Sequence, residues 1–303
     1  AWYKDGFYYS HYPTPAKGTE LSAANNSQKV FYHKLGTPQA DDRLVYEDTE
    51  NEKLYLGADV TENEQYLLLY VYEGTDNGDI YFRKTGDING DFVPLITGFK
   101  AKSSVVDYAD GKFLMLTNLG APNNRLVAVS PKKLNEKDWV EIIPETKNYL
   151  DYVNSGGMKL FAKYLVNATT RFYQFDYSGE NKKEIELPGI GTADGFGGKK
   201  DELKLYYSFT SFLYPNAIFE YDVKSGNSTV YFMPDIDFNP KDYIEEQLWV
   251  KSKDGTKVPV FIVHKKGLKM NGKNPTLLYA YGGFNISLSP YFSTSRIILL
   301  ENG

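Results

Sequence analysis

The chain contains the stretch Asn63-Glu64-Gln65-Tyr66-Leu67-Leu68-Leu69-Tyr70, a polar turn followed at once by an apolar strand. The same pattern of a polar turn and an apolar strand recurs at residues 110–116, 156–162 and 201–207. Equivalent strand residues are 47, 47 and 45 positions apart, namely Tyr66, Phe113, Leu160 and Leu205. After a loop, each is followed by a second strand, a turn and a further strand. A period near 45 with about four short strands per unit predicts the blades of a β-propeller.

One more unit precedes these four. Residues 6–10 and 29–33 have the strand composition of a blade and are separated by a long hairpin loop at 13–28. We therefore predict a mainly β fold, a partial propeller of about five blades over residues 1–236. An ordinary β-sandwich with chance spacing is the alternative, but four matched units favour the propeller. A helical solenoid is excluded because the apolar periodicity is two.

Composition limits the functional classes. The 303 residues include 26 tyrosines and 18 phenylalanines, which favour strands. With 34 basic and 39 acidic residues the net charge is −5, so the clustered basic charge of a nucleic-acid binder is not expected. The chain has no cysteine and three histidines, and we predict no metal site and no cofactor. Apolar runs are too short to span a membrane. The compartment stays open between cytoplasm and periplasm.

The pattern changes after about residue 232. Residues 233–240 are rich in turn formers and are interpreted as a linker, so a second domain is predicted at 237–303. Strands at 247–251 and 257–264 flank Asp254-Gly255 and predict a hairpin. An apolar run at 276–281 predicts a buried strand that leads into Gly282-Gly283. We expect the chain after about Lys266 not to pack within the molecule.

Catalytic motifs are scarce. The sequence has no Gly-x-Ser-x-Gly, Walker, His-Glu-x-x-His or Gly-x-Gly-x-x-Gly motif. Residues 87–91 resemble a calcium loop but lack its terminal glutamate, so a hairpin turn is favoured. Tyr281 precedes two glycines and has a hydroxyl that could donate to an oxyanion. From the residues alone, a core tyrosine before a tight turn is the favoured interpretation.

Two longer strings carry a family resemblance. Residues 252–266 and residues 278–287, which include Tyr281-Gly282-Gly283-Phe284-Asn285, closely resemble the prolyl oligopeptidase (prolyl endopeptidase) family of serine peptidases. Residues 208–215 and 6–10 are similar to it as well. The resemblance covers essentially the whole chain. It implies a seven-bladed propeller that caps an α/β-hydrolase domain, of which residues 237–303 would supply the first strands, and hydrolysis of short peptides after proline.

The resemblance also implies roles for three residues. Tyr281 would supply the oxyanion-hole hydroxyl, Phe284 an apolar wall of the pocket for the substrate proline, and Tyr8 an aromatic lining of the same cavity. The family's catalytic serine, aspartate and histidine lie beyond the Gly-Gly-Phe segment, so we expect none of them here. This chain is then an inactive portion of a longer peptidase whose propeller restricts substrate access.

Two other classes remain open. One is a free-standing propeller that binds peptides or protein partners. The other is a relative of oligopeptidase B or of the dipeptidyl peptidases, which would recognise basic or amino-terminal residues. For the peptidase we expect an oligopeptide substrate, no nucleic acid, no membrane, and a monomeric whole protein. Uncovered sheet faces would favour self-association of the portion.

Overall fold

The computed structural model describes residues 1–75, 77–284 and 286–302. The chain forms two compact units, Ala1–Glu145 and Thr146–Gly303. Each unit is built mainly from antiparallel four-stranded sheets in which consecutive strands are neighbours. Among the described residues, no helix combines the length and the apolar character needed to cross a membrane.

The first unit contains three such sheets. Sheet 1 consists of β1 (Trp2–Tyr3), β2 (Gly6–His11), β3 (Lys29–Lys34) and β4 (Arg43–Glu47). Sheet 2 consists of β5 (Tyr55–Val60), β6 (Tyr66–Tyr72), β7 (Gly78–Lys84) and β8 (Val93–Ile96). Sheet 3 consists of β9 (Ser103–Ala109), β10 (Lys112–Thr117), β11 (Arg125–Val129) and β12 (Val140–Ile143).

The second unit contains two sheets, a hairpin and a helix. Sheet 4 consists of β13 (Tyr149–Gly156), β14 (Lys159–Val166), β15 (Thr169–Phe175) and β16 (Lys183–Ile185). Sheet 5 consists of β17 (Thr192–Gly195), β18 (Lys204–Thr210), β19 (Ala217–Asp222) and β20 (Ser228–Phe232). The hairpin pairs β21 (Tyr243–Lys251) with β22 (Lys257–Lys265), and α1 spans Thr294–Glu301. Three short 3-10 helices lie at Gln39–Asp41, Glu136–Asp138 and Pro240–Asp242.

These five sheets are propeller blades, so the predicted fold class is confirmed. The four repeated apolar strands are the second strands of sheets 2 to 5, and residues 6–10 and 29–33 lie in sheet 1. The hairpin predicted around Asp254-Gly255 is present. The spacing of apolar strands in the sequence predicted the blades correctly because each blade repeats one strand–turn unit. Side chains also alternate between the two faces along every strand.

Tight turns fix the register of the hairpins. Ala109 pairs with Lys112, so Asp110-Gly111 forms a two-residue loop, and both residues have positive φ (49° and 75°). Gly157-Met158 does the same between β13 and β14. Two consecutive positive φ angles define the type I′ turn, whose twist matches that of antiparallel strands. Glycine lowers the strain at one position of each turn.

Aromatic side chains fill the space between neighbouring sheets. In the first unit, the fully buried ring of Phe113 lies 5.1 Å from the ring of Tyr66, 4.9 Å from Phe82 and 5.0 Å from Tyr108, joining sheets 2 and 3. In the second unit, the ring of Phe196 lies 4.6 Å from that of Phe172, which belongs to sheet 4. Such contacts stabilise both sheets at once, because a single sheet would leave these rings in water.

Truncating Phe113 tests this packing. Phe113→Ala should lower the free energy of unfolding by about 3–5 kcal/mol, because the lost ring leaves a cavity in contact with three other aromatic rings. Urea unfolding followed by far-ultraviolet circular dichroism measures the change. The exposed Val140→Ala, in the same sheet, is the control and should change it by about 0.5 kcal/mol or less. Equal effects of the two substitutions would contradict the proposed core.

Candidate active-site segment and its supports

The segment Tyr281-Gly282-Gly283-Phe284 lies at the surface of the second unit. The side chain of Tyr281 is 52% exposed and that of Phe284 is 88% exposed. Gly282 has φ 122° and Phe284 has φ 54°, so the backbone turns sharply on both sides of Gly283. Asn285 of the same string lies outside the described residues. The phenol of Tyr281 is therefore accessible to a ligand.

The strand predicted at 276–281 is not present. The described residues there have no strand pairing, and Leu277, Leu278 and Tyr279 are exposed. An extended segment becomes a strand when a neighbour accepts and donates its backbone hydrogen bonds. In the described part of the chain, β21 and β22 pair with each other and form a sheet of two strands. The apolar run consequently has no sheet to join here.

Residues 290–301 pack within the second unit, contrary to the expectation for the chain after Lys266. The hydroxyl of Thr192 donates to the carbonyl oxygen of Pro290 at 2.7 Å, and the amide of Phe292 donates to the hydroxyl of Thr210 at 3.0 Å. Helix α1 follows, with Ile297 buried. For residues 290–301 the expectation was wrong, because long-range hydrogen bonds to Thr192 and Thr210, which pair at one end of the β17–β18 ladder, anchor this segment.

The hairpin is anchored by the string at residues 208–215. Here the hydroxyl of Ser211 donates to Oε2 of Glu245 in β21 at 2.7 Å, and the ring of Phe212 lies 5.5 Å from that of Phe261 in β22. Oε1 of Glu245 is buried and has no hydrogen-bond partner in the described part of the chain. Burial raises the pKa of Glu245, and the hydrogen bond from Ser211 offsets part of that rise.

Tyr8 lies in the first unit and is 3% exposed. It belongs to a hydrophobic cluster with Tyr3 of sheet 1 and Leu67 of sheet 2, and its ring lies 5.0 Å from that of Tyr32. Burial raises the pKa of its phenol, while the positive charges of Arg43 and Arg83 lower it by less. The structure thus groups Tyr281 with Phe284 in the second unit and places Tyr8 in the core between two sheets of the first.

A polar network between sheets 4 and 5 was missed from the sequence. The largely buried ammonium of Lys163 contacts Oδ2 of Asp151 at 3.1 Å and also pairs with Asp194. The amide of Gly195 donates to the hydroxyl of Tyr152 at 2.9 Å. Asp151 and Asp194 lie on the first strands of their sheets, so Lys163 joins these two strands. No motif marks the network, because residues in contact within it are up to 43 positions apart in the sequence.

The three histidines are not brought together into a catalytic group. In the first unit, His33 Nδ1 lies 2.7 Å from Oδ1 of Asp42, and His11 is exposed at the end of β2. In the second unit, His264 Nδ1 contacts the carbonyl oxygen of Lys265 at 2.9 Å. Among residues 1–75, 77–284 and 286–302, no group of three or more histidine, aspartate or glutamate side chains is placed to hold a metal ion.

The sequence matches the family profile described as prolyl oligopeptidase, N-terminal beta-propeller domain, over residues 1–233. The chain belongs to the prolyl oligopeptidase family. The predicted resemblance is therefore confirmed. The five sheets of this prolyl oligopeptidase family member are blades of the propeller domain.

Known proteins similar to this family member are peptidases. A prolyl endopeptidase from Elizabethkingia meningoseptica is 43% identical over 299 residues, which are 99% of this chain and 42% of that protein. A solved structure from a study of two prolyl endopeptidases and inter-domain dynamics has a TM-score of 0.89 at 36% identity, covering 99% of this chain and 44% of that one. Prolyl oligopeptidase B from Galerina marginata, solved with a 35-residue hydrolysis and macrocyclization substrate, has a TM-score of 0.90 at 25% identity, covering 98% of this chain and 42% of that one. The chain spans less than half the length of these relatives.

The buried carboxyl group of Glu245 should make stability depend on pH. Because its pKa in the folded protein is raised above the ordinary 4.5, its stabilising effect is complete below that pH and is lost as the pH rises through the raised value. Glu245→Gln should therefore unfold at a higher temperature than the wild type at pH 7, with a smaller difference at pH 4.

Thermal unfolding of both proteins from pH 4 to pH 7 measures this. The neighbouring Glu246, which is exposed, supplies the matched control Glu246→Gln, whose pH profile should follow the wild type. A lower unfolding temperature for Glu245→Gln at pH 7 would show that the carboxylate form stabilises the hairpin and would overturn the prediction.

Proposed function

We propose that this chain is part of a serine endopeptidase that hydrolyses short peptides on the carboxyl side of proline. The observation that carries the proposal is the exposed phenol of Tyr281 within the Tyr281-Gly282-Gly283-Phe284 turn. The 43% identity to a prolyl endopeptidase over 99% of the chain supports it. The 303 residues contain no Gly-x-Ser-x-Gly motif, so we place the catalytic serine, aspartate and histidine in the rest of the full-length protein.

The proposed role of Tyr281 is electrostatic. When the serine attacks the carbonyl carbon of the substrate proline, the carbonyl oxygen gains negative charge. The Tyr281 hydroxyl donates a hydrogen bond to that oxygen, together with the backbone N–H that follows the nucleophile, while the histidine takes the serine proton and delivers it to the leaving amine. A donor held by a sharp backbone turn reorganises little during reaction, which is why such groups accelerate acyl transfer.

Aromatic residues are proposed to bind the proline side of the substrate. Phe284 exposes nearly its whole ring, so burying it against an apolar pyrrolidine ring would be favourable. Tyr8, which is buried in the first unit, stays a proposed aromatic residue of the substrate cavity on the family resemblance alone. The propeller is proposed to act sterically, admitting oligopeptides and excluding folded proteins. A free-standing peptide-binding propeller remains the second candidate, although the hairpin and the Tyr281 segment have no role in it.

Removing the proposed oxyanion donor should reduce kcat in the full-length protein. Tyr281→Phe should lower kcat by about 100-fold or more on a chromogenic peptide with proline at the cleaved position, with little change in KM. Tyr279→Phe, two residues earlier and also exposed to solvent, removes a hydroxyl in the same way and should retain full kcat. A Tyr281→Phe enzyme as active as the Tyr279→Phe enzyme would eliminate the oxyanion role.

Substrate profiling tests the specificity separately. The full-length protein should cleave peptides after proline and leave matched peptides with lysine or arginine at that position intact. Preference for the basic residues would instead support an oligopeptidase B relative, and release of amino-terminal dipeptides would support a dipeptidyl peptidase. The 303-residue chain by itself serves as the blank and should give no turnover; activity in the purified chain would refute the placement of the triad elsewhere.

A further inference from the structure

Two arginines face the space between sheets 1 and 2. Across sheet 1, Tyr8 of β2 pairs with Tyr32 of β3, which pairs with Arg43 of β4. In sheet 2, Leu67 of β6 pairs with Arg83 of β7. Tyr8 and Leu67 belong to the same buried cluster between the sheets. Paired residues of a sheet share a face, so the two rows oppose each other and bring both guanidinium groups toward Tyr8.

Arg83 is buried without a matching negative charge. Its residue is 7% exposed, and Nε is buried with no hydrogen-bond partner in the described part of the chain. One N–H, on Nη1, donates to the carbonyl oxygen of Gly90 at 3.1 Å, and the guanidinium carbon lies 4.5 Å from the ring centre of Phe92. A guanidinium group has five N–H donors, so most of the hydrogen-bonding capacity of Arg83 is unused by these contacts.

Arg43 likewise has no matching negative charge in the described part of the chain, and it lies closer to solvent. It is half-buried, lies 5.7 Å from the ring centre of Tyr32, donates a long hydrogen bond, 3.5 Å, to the carbonyl oxygen of Ile88, and also interacts with the hydroxyl of Tyr8. Within the described ranges, the arginine ion pairs are made by Arg125 and Arg171 and by neither of these two residues. Arg43 is thus partly accessible to an anion from solvent, whereas Arg83 is buried.

Both guanidinium charges act on the phenol of Tyr8, whose pKa they lower against the larger effect of burial. Burial and then the charge of Arg43 lower the pKa of Arg83, whereas Asp87 raises it by a smaller amount and forms no ion pair with it in the described structure. Two positive charges in a partly dry space are unfavourable unless a negative group joins them, which is why buried charges in proteins are paired.

We propose that Tyr8, Arg43 and Arg83 bind a small oxyanion, either a carboxylate or a phosphate, where sheets 1 and 2 face each other. Planar guanidinium groups bind the two oxygens of such anions in parallel, and the phenol supplies a further donor. A purely structural alternative is that both arginines hold the β7–β8 loop through the carbonyl oxygens of Ile88 and Gly90. Those bonds use one donor from each arginine and provide no countercharge. Tyr8 is shared with the proposed substrate cavity, but the test of the anion site uses no peptide and is therefore independent of the peptidase assay.

Isothermal titration of the full-length protein with sodium phosphate, sodium sulfate and sodium acetate tests the site, with sodium chloride at matched ionic strength as the reference. We expect saturable binding of at least one oxyanion; phosphate and acetate arms distinguish the two chemistries. Arg43→Gln should weaken that binding about tenfold or more, because a charge-assisted hydrogen bond is removed. Arg83→Lys, which keeps the charge and loses the planar fork, should also weaken it.

The matched control is Arg171→Gln, an exposed arginine of sheet 4 paired with Glu184, which should bind like the wild type. If Arg83→Lys does not fold, Arg43→Gln carries the test, since its side chain is half exposed. Selenate soaked into crystals of the full-length protein should give anomalous density between Arg43 and Arg83. Absence of saturable binding for all three anions, equal binding by Arg43→Gln and the wild type, or selenate found elsewhere would overturn the proposal.

Discussion

A four-stranded sheet with apolar side chains on both faces is stable when other sheets cover both faces. Sheet 2 shows the constraint most fully, because Leu69 and Val71 pack toward sheet 1 while Leu68 and Ile80 pack toward sheet 3. A hairpin or a single sheet would leave half of these side chains in water, and burying each is worth about 1.5–3 kcal/mol. A blade is therefore stable only when it packs against neighbouring blades.

Tyrosine serves this arrangement in two ways, which explains its abundance. Its ring fills the space between sheets, and its hydroxyl reaches the edge of that space and joins one sheet to the next. The hydroxyl of Tyr70 in sheet 2 accepts from the amide of Val105 in sheet 3 at 3.3 Å, and that of Tyr221 in sheet 5 donates to Gln174 in sheet 4 at 2.8 Å. Phenylalanine at these positions would fill the space but leave those polar groups unlinked.

The two sites proposed here lie where side chains depart from this packing rule. The Tyr281 segment is exposed and has no sheet neighbour, although Thr192 and Thr210 hold the residues that follow it. Between sheets 1 and 2, a row of side chains that starts with Leu67 continues with Arg83, whose charge the surrounding apolar groups cannot neutralise. Each departure leaves a group with unused hydrogen-bonding capacity, which is the physical basis for assigning a ligand to it.

The sequence by itself determined the blades, because the spacing of Tyr66, Phe113, Leu160 and Leu205 reports a local strand–turn unit that each segment repeats. It also determined the hairpin at Asp254-Gly255, since the turn preference of such a pair is local; the loop between the paired strands spans residues 252–256. It pointed to Tyr281 and Phe284 through a contiguous string, but it did not reveal their exposure. The strand predicted at 276–281 was wrong, because apolar composition does not show whether a neighbouring strand is available for pairing. Tertiary structure alone decided the contacts of Ser211 with Glu245, of Lys163 with Asp151 and Asp194, and of Arg43 and Arg83 with the Tyr8 cluster. Those residues are distant in the sequence, and only the pairing of strands and the packing of one sheet on the next bring them within contact distance of each other.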